Sequence, residues 1–234
     1  MRAAQVRRVS RVRRAPMAWR ASLAWLVLGM GAAVAAVGAD APGAGDTALD
    51  QFLGGLKSLQ AVFTQSVVDG AGKSVDAGRG TLLVSRPGRF RWEYMPQDGG
   101  AQLLVADGEN LWFYDRELQQ ATVKPAAAAL TATPVVLLSG TVAQVRAAFM
   151  VEGAGEHDGV RAVRVTPRSG NADFASAELE FRELQLVRLV VHDRLGQTAT
   201  LTFTHSERNG PVAESLLHFT PPAGVDVIGT AQAK

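Results

Sequence analysis

Four histidines, His157, His192, His205 and His218, are the first candidates for metal binding or proton transfer in this chain. No two of them stand at the close helical spacing of a metalloprotease motif, and there is no cysteine to complete a zinc site. His192 and Asp193 are neighbours on a strand and so point apart. Asp107 and Glu109 suggest a carboxylate pair, but Asp107-Gly108-Glu109-Asn110 is also an ordinary hairpin turn. Gly153-Ala154-Gly155 leads into an acidic loop and not a helix, so it makes no phosphate cradle. A Gly-x-Ser-x-Gly nucleophile elbow is absent. Neither a metal nor a cofactor is called for, and the chemistry that remains is binding. Its centre is Gly80 to Tyr94. There Phe90, Trp92 and Tyr94 alternate with Arg91 and Glu93, and Arg86 stands beside Pro87-Gly88. Period-two alternation puts the three rings on one face of a strand. That face is either a packed core or the wall of a cavity. Arg86 is either a solvated strand-end arginine or a group with a task.

The elements that position this stretch are mostly strands. An amphipathic helix is expected over Leu49 to Thr64, with Leu49, Phe52, Leu53, Leu56, Leu59 and Phe63 on one stripe and Asp46 or Thr47 as its cap. From Ala61 the period becomes two, with Phe63, Gln65 and Val67 on one side and Val62, Thr64, Ser66 and Val68 on the other. Asp69 to Gly72 reads as a turn, followed by strands over Val75–Val84, the Phe90–Tyr94 stretch, Gln102–Ala106, Leu111–Tyr114 and Gln119–Val123. Lys124 to Phe149 breaks the pattern. Pro125 and Ala126 to Ala129 open one short helix, Thr133-Pro134 opens a second that ends at Ser139-Gly140, and Val142 to Ala148 is a third. Helices this short must lie against something, either as a plain connection or as a movable lid. Strands resume from Val160 to Pro167, then at Ala177–Phe181, Leu186–His192, Thr198–His205 and finally Leu216–Thr220. The reading is one mainly β domain of ten or eleven antiparallel strands with short helices. A sheet of that size must curl or split.

The N-terminus reads as a secretory signal. Seven arginines lie between Arg2 and Arg20, no acid precedes Asp40, and Ala21 to Ala36 is nearly all apolar. Cleavage is expected near Ala39, and Met17 would open a signal of ordinary size. The apolar run is shorter than a bilayer span and is broken by Gly29 and Gly31. The whole chain has 24 basic and 22 acidic residues; without the seven signal arginines the remainder is 17 against 22, or −5. A nucleic-acid partner is therefore not expected. Without cysteine an exported domain relies on its core, which about 195 residues can supply. A lipid-anchored product is also excluded, because the lipid would need a Cys.

Several short motifs, in this order and behind such a signal, resemble one family. They are Phe63-Thr64-Gln65, Gly80-Thr81-Leu82, the run from Arg86-Pro87-Gly88 to Tyr94, Asp107-Gly108 leading into Leu111-Trp112-Phe113-Tyr114, and Phe219-Thr220-Pro221-Pro222-Ala223-Gly224-Val225. Together they are similar to the periplasmic outer-membrane lipoprotein carrier proteins of the LolA family, over essentially the whole chain after residue 39. The resemblance implies an incomplete, strongly curved antiparallel β-barrel, covered by a helical lid at about 125–149 that encloses a hydrophobic cavity. It implies a monomeric periplasmic carrier that takes acylated lipoproteins from the LolCDE ABC transporter of the inner membrane and delivers them to the outer-membrane receptor LolB. Arg86 matches the family's arginine that latches the lid, here against residues 125–139, and Phe90 matches a phenylalanine tied to cargo handling. Trp92, Tyr94, Leu104, Trp112, Leu137 and Leu138 would line the cavity with Phe90. Ala126 to Ala129 is plainer than the family's lid, so Arg86 would bond backbone carbonyls. The rival readings are a related periplasmic lipid- or lipopeptide-sensing domain and, less consistent with the missing nucleophile and base, an exported hydrolase.

Overall fold

Thr47 starts the first element. Its hydroxyl accepts from the Asp50 amide (3.2 Å) and the Asp50 carboxylate accepts from the Thr47 amide (3.1 Å). This reciprocal cap opens α1 (Ala48–Leu53). A computed structural model provides the structure, and it describes residues 47–126, 134–170 and 172–232. The signal region and Ala127 to Ala129 of the expected first lid helix lie outside the described residues.

The helix expected to reach Thr64 ends at Leu53. Gly54 is its cap, and Gly55 turns the chain out at φ +69°, a conformation that side chains resist. Leu56, Leu59 and Phe63 stay buried, but the last two do so from a strand, β1 (Ser58–Val68), with Ala61 between them. The apolar spacing suited both periods, and the two glycines decided between them.

Eleven more strands follow among the described residues. They are β2 (Ser74–Ser85), β3 (Arg89–Pro96), β4 (Gln102–Ala106), β5 (Asn110–Asp115), β6 (Gln120–Pro125), β7 (Phe149–His157), β8 (Val160–Pro167), β9 (Phe174–Arg182), β10 (Gln185–Asp193), β11 (Thr198–Arg208) and β12 (Asp226–Ile228). Between β6 and β7 the described residues include α2 (Val136–Ser139) and α3 (Val142–Ala148). The strands form one open sheet in the order β12-β6-β5-β4-β3-β2-β1-β11-β10-β9-β8-β7. Each pair is antiparallel except β12 with β6. Strand β7 is absent from the sequence reading because Gly153, Ala154 and Gly155 give it no apolar alternation and its second half is exposed. The segment expected as the last strand, Leu216–Thr220, instead begins in a 3-10 helix, Glu214–Leu217. The true last strand lies beyond Gly224.

Inner-face residues of ten strands meet α1, α2 and α3 in one buried cluster. Twelve strands laid flat at ~4.8 Å spacing would span roughly 50 Å, too far for a shared core with three short helices. The sheet therefore wraps around them. A second, smaller cluster lies on the outer face. It joins Leu103, Val105, Trp112, Tyr114, Ala121 and Val123 to Phe219 and Val225 of the C-terminal segment. The motif around Phe219 is thus an outer cover: its ring lies 5.6 Å from Trp112 and 5.4 Å from Tyr114. Asn110 straps the end of the chain by donating to Gln232 O and accepting from Gln232 N.

Gly80 is the tightest point of the inner face. It pairs with Phe63 on one side and Tyr94 on the other. The two rings lie nearly parallel, 6.5 Å apart. A Cβ at Gly80 would sit 2.2 Å from Glu93 O and 2.4 Å from Phe63 Cζ. Gly80→Ala is expected to cost about 1–3 kcal/mol through overpacking. The check is a urea titration with a lowered midpoint and an unchanged slope.

Candidate functional site

The site grows out of the β2–β3 turn. Arg86 follows β2 directly, and its amide donates to Lys57 O (2.9 Å). Its half-buried side chain runs under the helices, where Nη1 donates to Leu53 O (2.6 Å) and Leu56 O (3.0 Å), and Nη2 donates to Gly140 O (2.7 Å). One guanidinium therefore joins the end of α1 to the end of α2. Gly88 adds a second tie, donating its amide to Ser139 O (3.0 Å). Short helices leave their last carbonyls unpaired, and a cation with several donors suits them. Bonds of this charge-assisted kind contribute roughly 1.5–3 kcal/mol each. Burial pulls the guanidinium below its ordinary pKa, but an arginine remains charged at neutral pH.

These contacts differ from the latch against 125–139 that the sequence suggested. Two of the three accepting carbonyls belong to the α1 end, and the third lies one residue past that range. Nothing about α1 in the sequence pointed to Arg86, because some thirty residues separate the two and only the tertiary fold brings them together.

Above the sheet, Phe90, Tyr94, Leu104, Leu137 and Leu138 are all buried in the main cluster. Trp92 packs against them from a half-buried position, its ring 4.4 Å from Phe63. Its indole Nε1 is buried without a hydrogen-bond partner. The Tyr94 hydroxyl donates to Asp76 Oδ2 (2.7 Å), and burial together with that carboxylate pushes the phenol well above its usual range. Trp112 does not join this group. It pairs with Val105 on β4, and both lie on the outer face, while Leu104, Ala106, Leu111 and Phe113 face inward. The strand Leu111–Tyr114 is apolar on both faces, so its alternation could not say which face turns inward.

On the inner face, Leu137 and Leu138 of α2 pack into the main cluster. An open groove of about 280 Å³ lies elsewhere, on the outer face, lined by Val62, Arg79, Thr81, Glu93, Met95 and Leu103 among others. The helices over the inner face are held to one another as well. Arg146 of α3 grips the Asp50 carboxylate of α1 through Nε (3.0 Å, to Oδ1) and through Nη2 to Oδ2. Burial alone would raise the Asp50 pKa, but the bonds from Arg146 and Thr47 outweigh it and hold the carboxyl below its ordinary value. Asp50 was legible as part of a capping box; its pairing with Arg146, 96 residues away, had no sequence signal.

The sequence model of the family described as "Outer membrane lipoprotein carrier protein LolA" matches residues 54–220. An outer-membrane lipoprotein carrier protein from Dechloromonas aromatica is 38% identical over 181 residues, covering 77% of this chain and 86% of that protein. Another, from Cupriavidus necator, is 36% identical over 200 residues, covering 84% of this chain and 93% of that one. Among solved structures, a LolA superfamily protein from Nitrosomonas europaea is 10% identical with a TM-score of 0.44, covering 74% of this chain and 94% of that chain.

Proposed function

The chain belongs to the LolA family of outer membrane lipoprotein carrier proteins, and we propose that it carries lipoproteins across the periplasm with their acyl chains sheltered against its inner face. As a member of a carrier family it is not an enzyme. Residues 1–39 act as the export signal, and the rest works as a single carrier domain. Cargo enters from the LolCDE transporter in the inner membrane and leaves to LolB at the outer membrane.

The observation that carries this reading is the Arg86 bridge over an apolar inner face. Hiding one CH₂ from water is worth about 0.8 kcal/mol, so a chain of some fifteen carbons needs on the order of 10 kcal/mol of shelter. Phe90, Trp92, Tyr94, Leu104, Leu137 and Leu138 supply a surface without polar demands. In the closed form they bury one another, so an acyl chain must displace α2, which serves as the lid. That movement breaks the bond from Arg86 to Gly140 O. The closed empty form thereby opposes loading, which moderates affinity and leaves delivery possible.

The test is a photoreactive residue in place of Trp92, cross-linking in the periplasm, and mass identification of what is captured. Acylated proteins support the carrier reading. Free lipids or a regulatory partner would overturn it in favour of a lipid-sensing domain.

A further inference from the structure

We propose that Asp50 and Arg146 are positioning residues that fix α3 to α1, so that the part of the chain that opens ends at Gly140–Thr141. This rests on the carrier reading for its purpose, though not for its geometry. The sequence reading had a lid running to 149; the ties on the two sides of Gly140 are different in kind.

On the C-terminal side, α3 is secured at both ends. Thr141 and Gln144 form a reciprocal cap, with Thr141 N donating to Gln144 Oε1 (2.8 Å). Arg146 makes its two-toothed contact with Asp50, the geometry in which arginine and carboxylate bind most strongly. The carbonyls of Arg146 and Phe149 both accept from Arg168 Nε at 3.1 Å. Helix α3 then runs without a break into β7. The partner that Arg146 holds is itself immobilised. Arg208 of β11 donates to Phe52 O (2.7 Å) and lies over the Phe52 ring at 5.3 Å. Asn209 donates to Gly55 O and accepts from the Lys57 amide. Helix α1 is therefore part of the sheet's frame, and α3 is joined to that frame through Asp50.

On the N-terminal side, the described residues that hold α2 to the sheet do so through two hydrogen bonds from one turn, Arg86 to Gly140 O and Gly88 to Ser139 O, and through the packing of Leu137 and Leu138. Release of that turn frees α2 and leaves α3 in place. Gly140 suits the boundary: it is extended (φ −75°, ψ 160°), and a Cβ there would meet Val136 O at 2.8 Å. With α3 fixed, Arg86 acts on α2 and not on α3.

Hydrogen exchange on the full mature chain separates the two sides, since α2 and α3 carry their own amide bonds. In Arg86→Leu, amides 137–140 are expected to exchange at least tenfold faster, and amides 145–149 to stay within twofold of wild type. In Arg146→Met, which keeps the stem and removes the charge, amides 145–149 are expected to speed up about three- to tenfold, with Arg146→Lys recovering part of the protection. Exchange of 145–149 rising together with 137–140 in Arg86→Leu would overturn the proposal, as would an unchanged α3 in Arg146→Met. If Arg146→Met does not fold, the Arg86→Leu arm still decides. Lipoprotein capture by the wild-type chain is scored separately, so loss of the carrier reading does not mimic either outcome.

Discussion

Phe90→Glu is expected to unfold the protein at neutral pH. The sequence alone suggests a milder outcome, a folded variant that fails in loading, because the aromatic face reads either as a packed core or as the wall of a cavity. The structure removes that choice. Phe90 is fully buried between Val84 and Ala106 on the neighbouring strands, inside the main cluster. Deleting a buried phenylalanine side chain costs about 3–5 kcal/mol, and an unpaired carboxylate in the same place costs several more. The sum is comparable to the whole stability of a domain, about 5–15 kcal/mol. Urea unfolding followed by far-ultraviolet circular dichroism is the check. A Phe90→Glu protein with a wild-type midpoint would show that Phe90 is not packed as described. Phe90→Leu, which keeps an apolar group of similar reach, is the variant suited to loading assays.

Arg86→Leu is expected to produce the opposite kind of defect, a folded protein that keeps its cargo. The substitution removes three bonds to Leu53 O, Leu56 O and Gly140 O. Such bonds are not additive; a loss on the order of 3 kcal/mol would shift the balance between closed and open forms about a hundredfold. The carbonyls at the end of α1 retain Arg208 and Asn209 as neighbours, so α1 itself stays anchored. The empty open form then competes less with the loaded one. Loading from inner-membrane vesicles should proceed, and transfer to the acceptor should fall sharply. A two-step release assay in which transfer stays at the wild-type level would contradict the latch. Fluorescence offers a structural control. Beyond the signal region the chain holds two tryptophans, Trp92 on the inner face and Trp112 on the outer face. Opening should change the emission of the first and leave that of the second.

Much of the fold was legible because its signals are local. Alternation over Phe90, Trp92 and Tyr94 put three rings on one face, and all three join the main cluster. The turns at Asp69–Gly72 and Pro87-Gly88, and the helices ending at Gly140 and Ala148, follow from turn and cap chemistry within a few residues. Two glycines were enough to turn the expected second half of α1 into a strand, because the spacing of Leu56, Leu59 and Phe63 satisfies both periods. Strand β7 carries no local pattern and forms because β8 offers it an antiparallel ladder.

Local patterning, then, sufficed for a mainly β domain with an aromatic inner strand and a lone arginine beside it. Which apolar face of β5 turns inward depends on pairing with β4 and on the C-terminal segment that covers Trp112. Which carbonyls meet Arg86 depends on α1, some thirty residues earlier, being folded back over the β2–β3 turn. The Asp50–Arg146 pair depends on two helices at opposite ends of the first half of the sheet coming together. Each of these is a contact between distant parts of the chain, and only the folding of the open sheet against its helices brings the partners together.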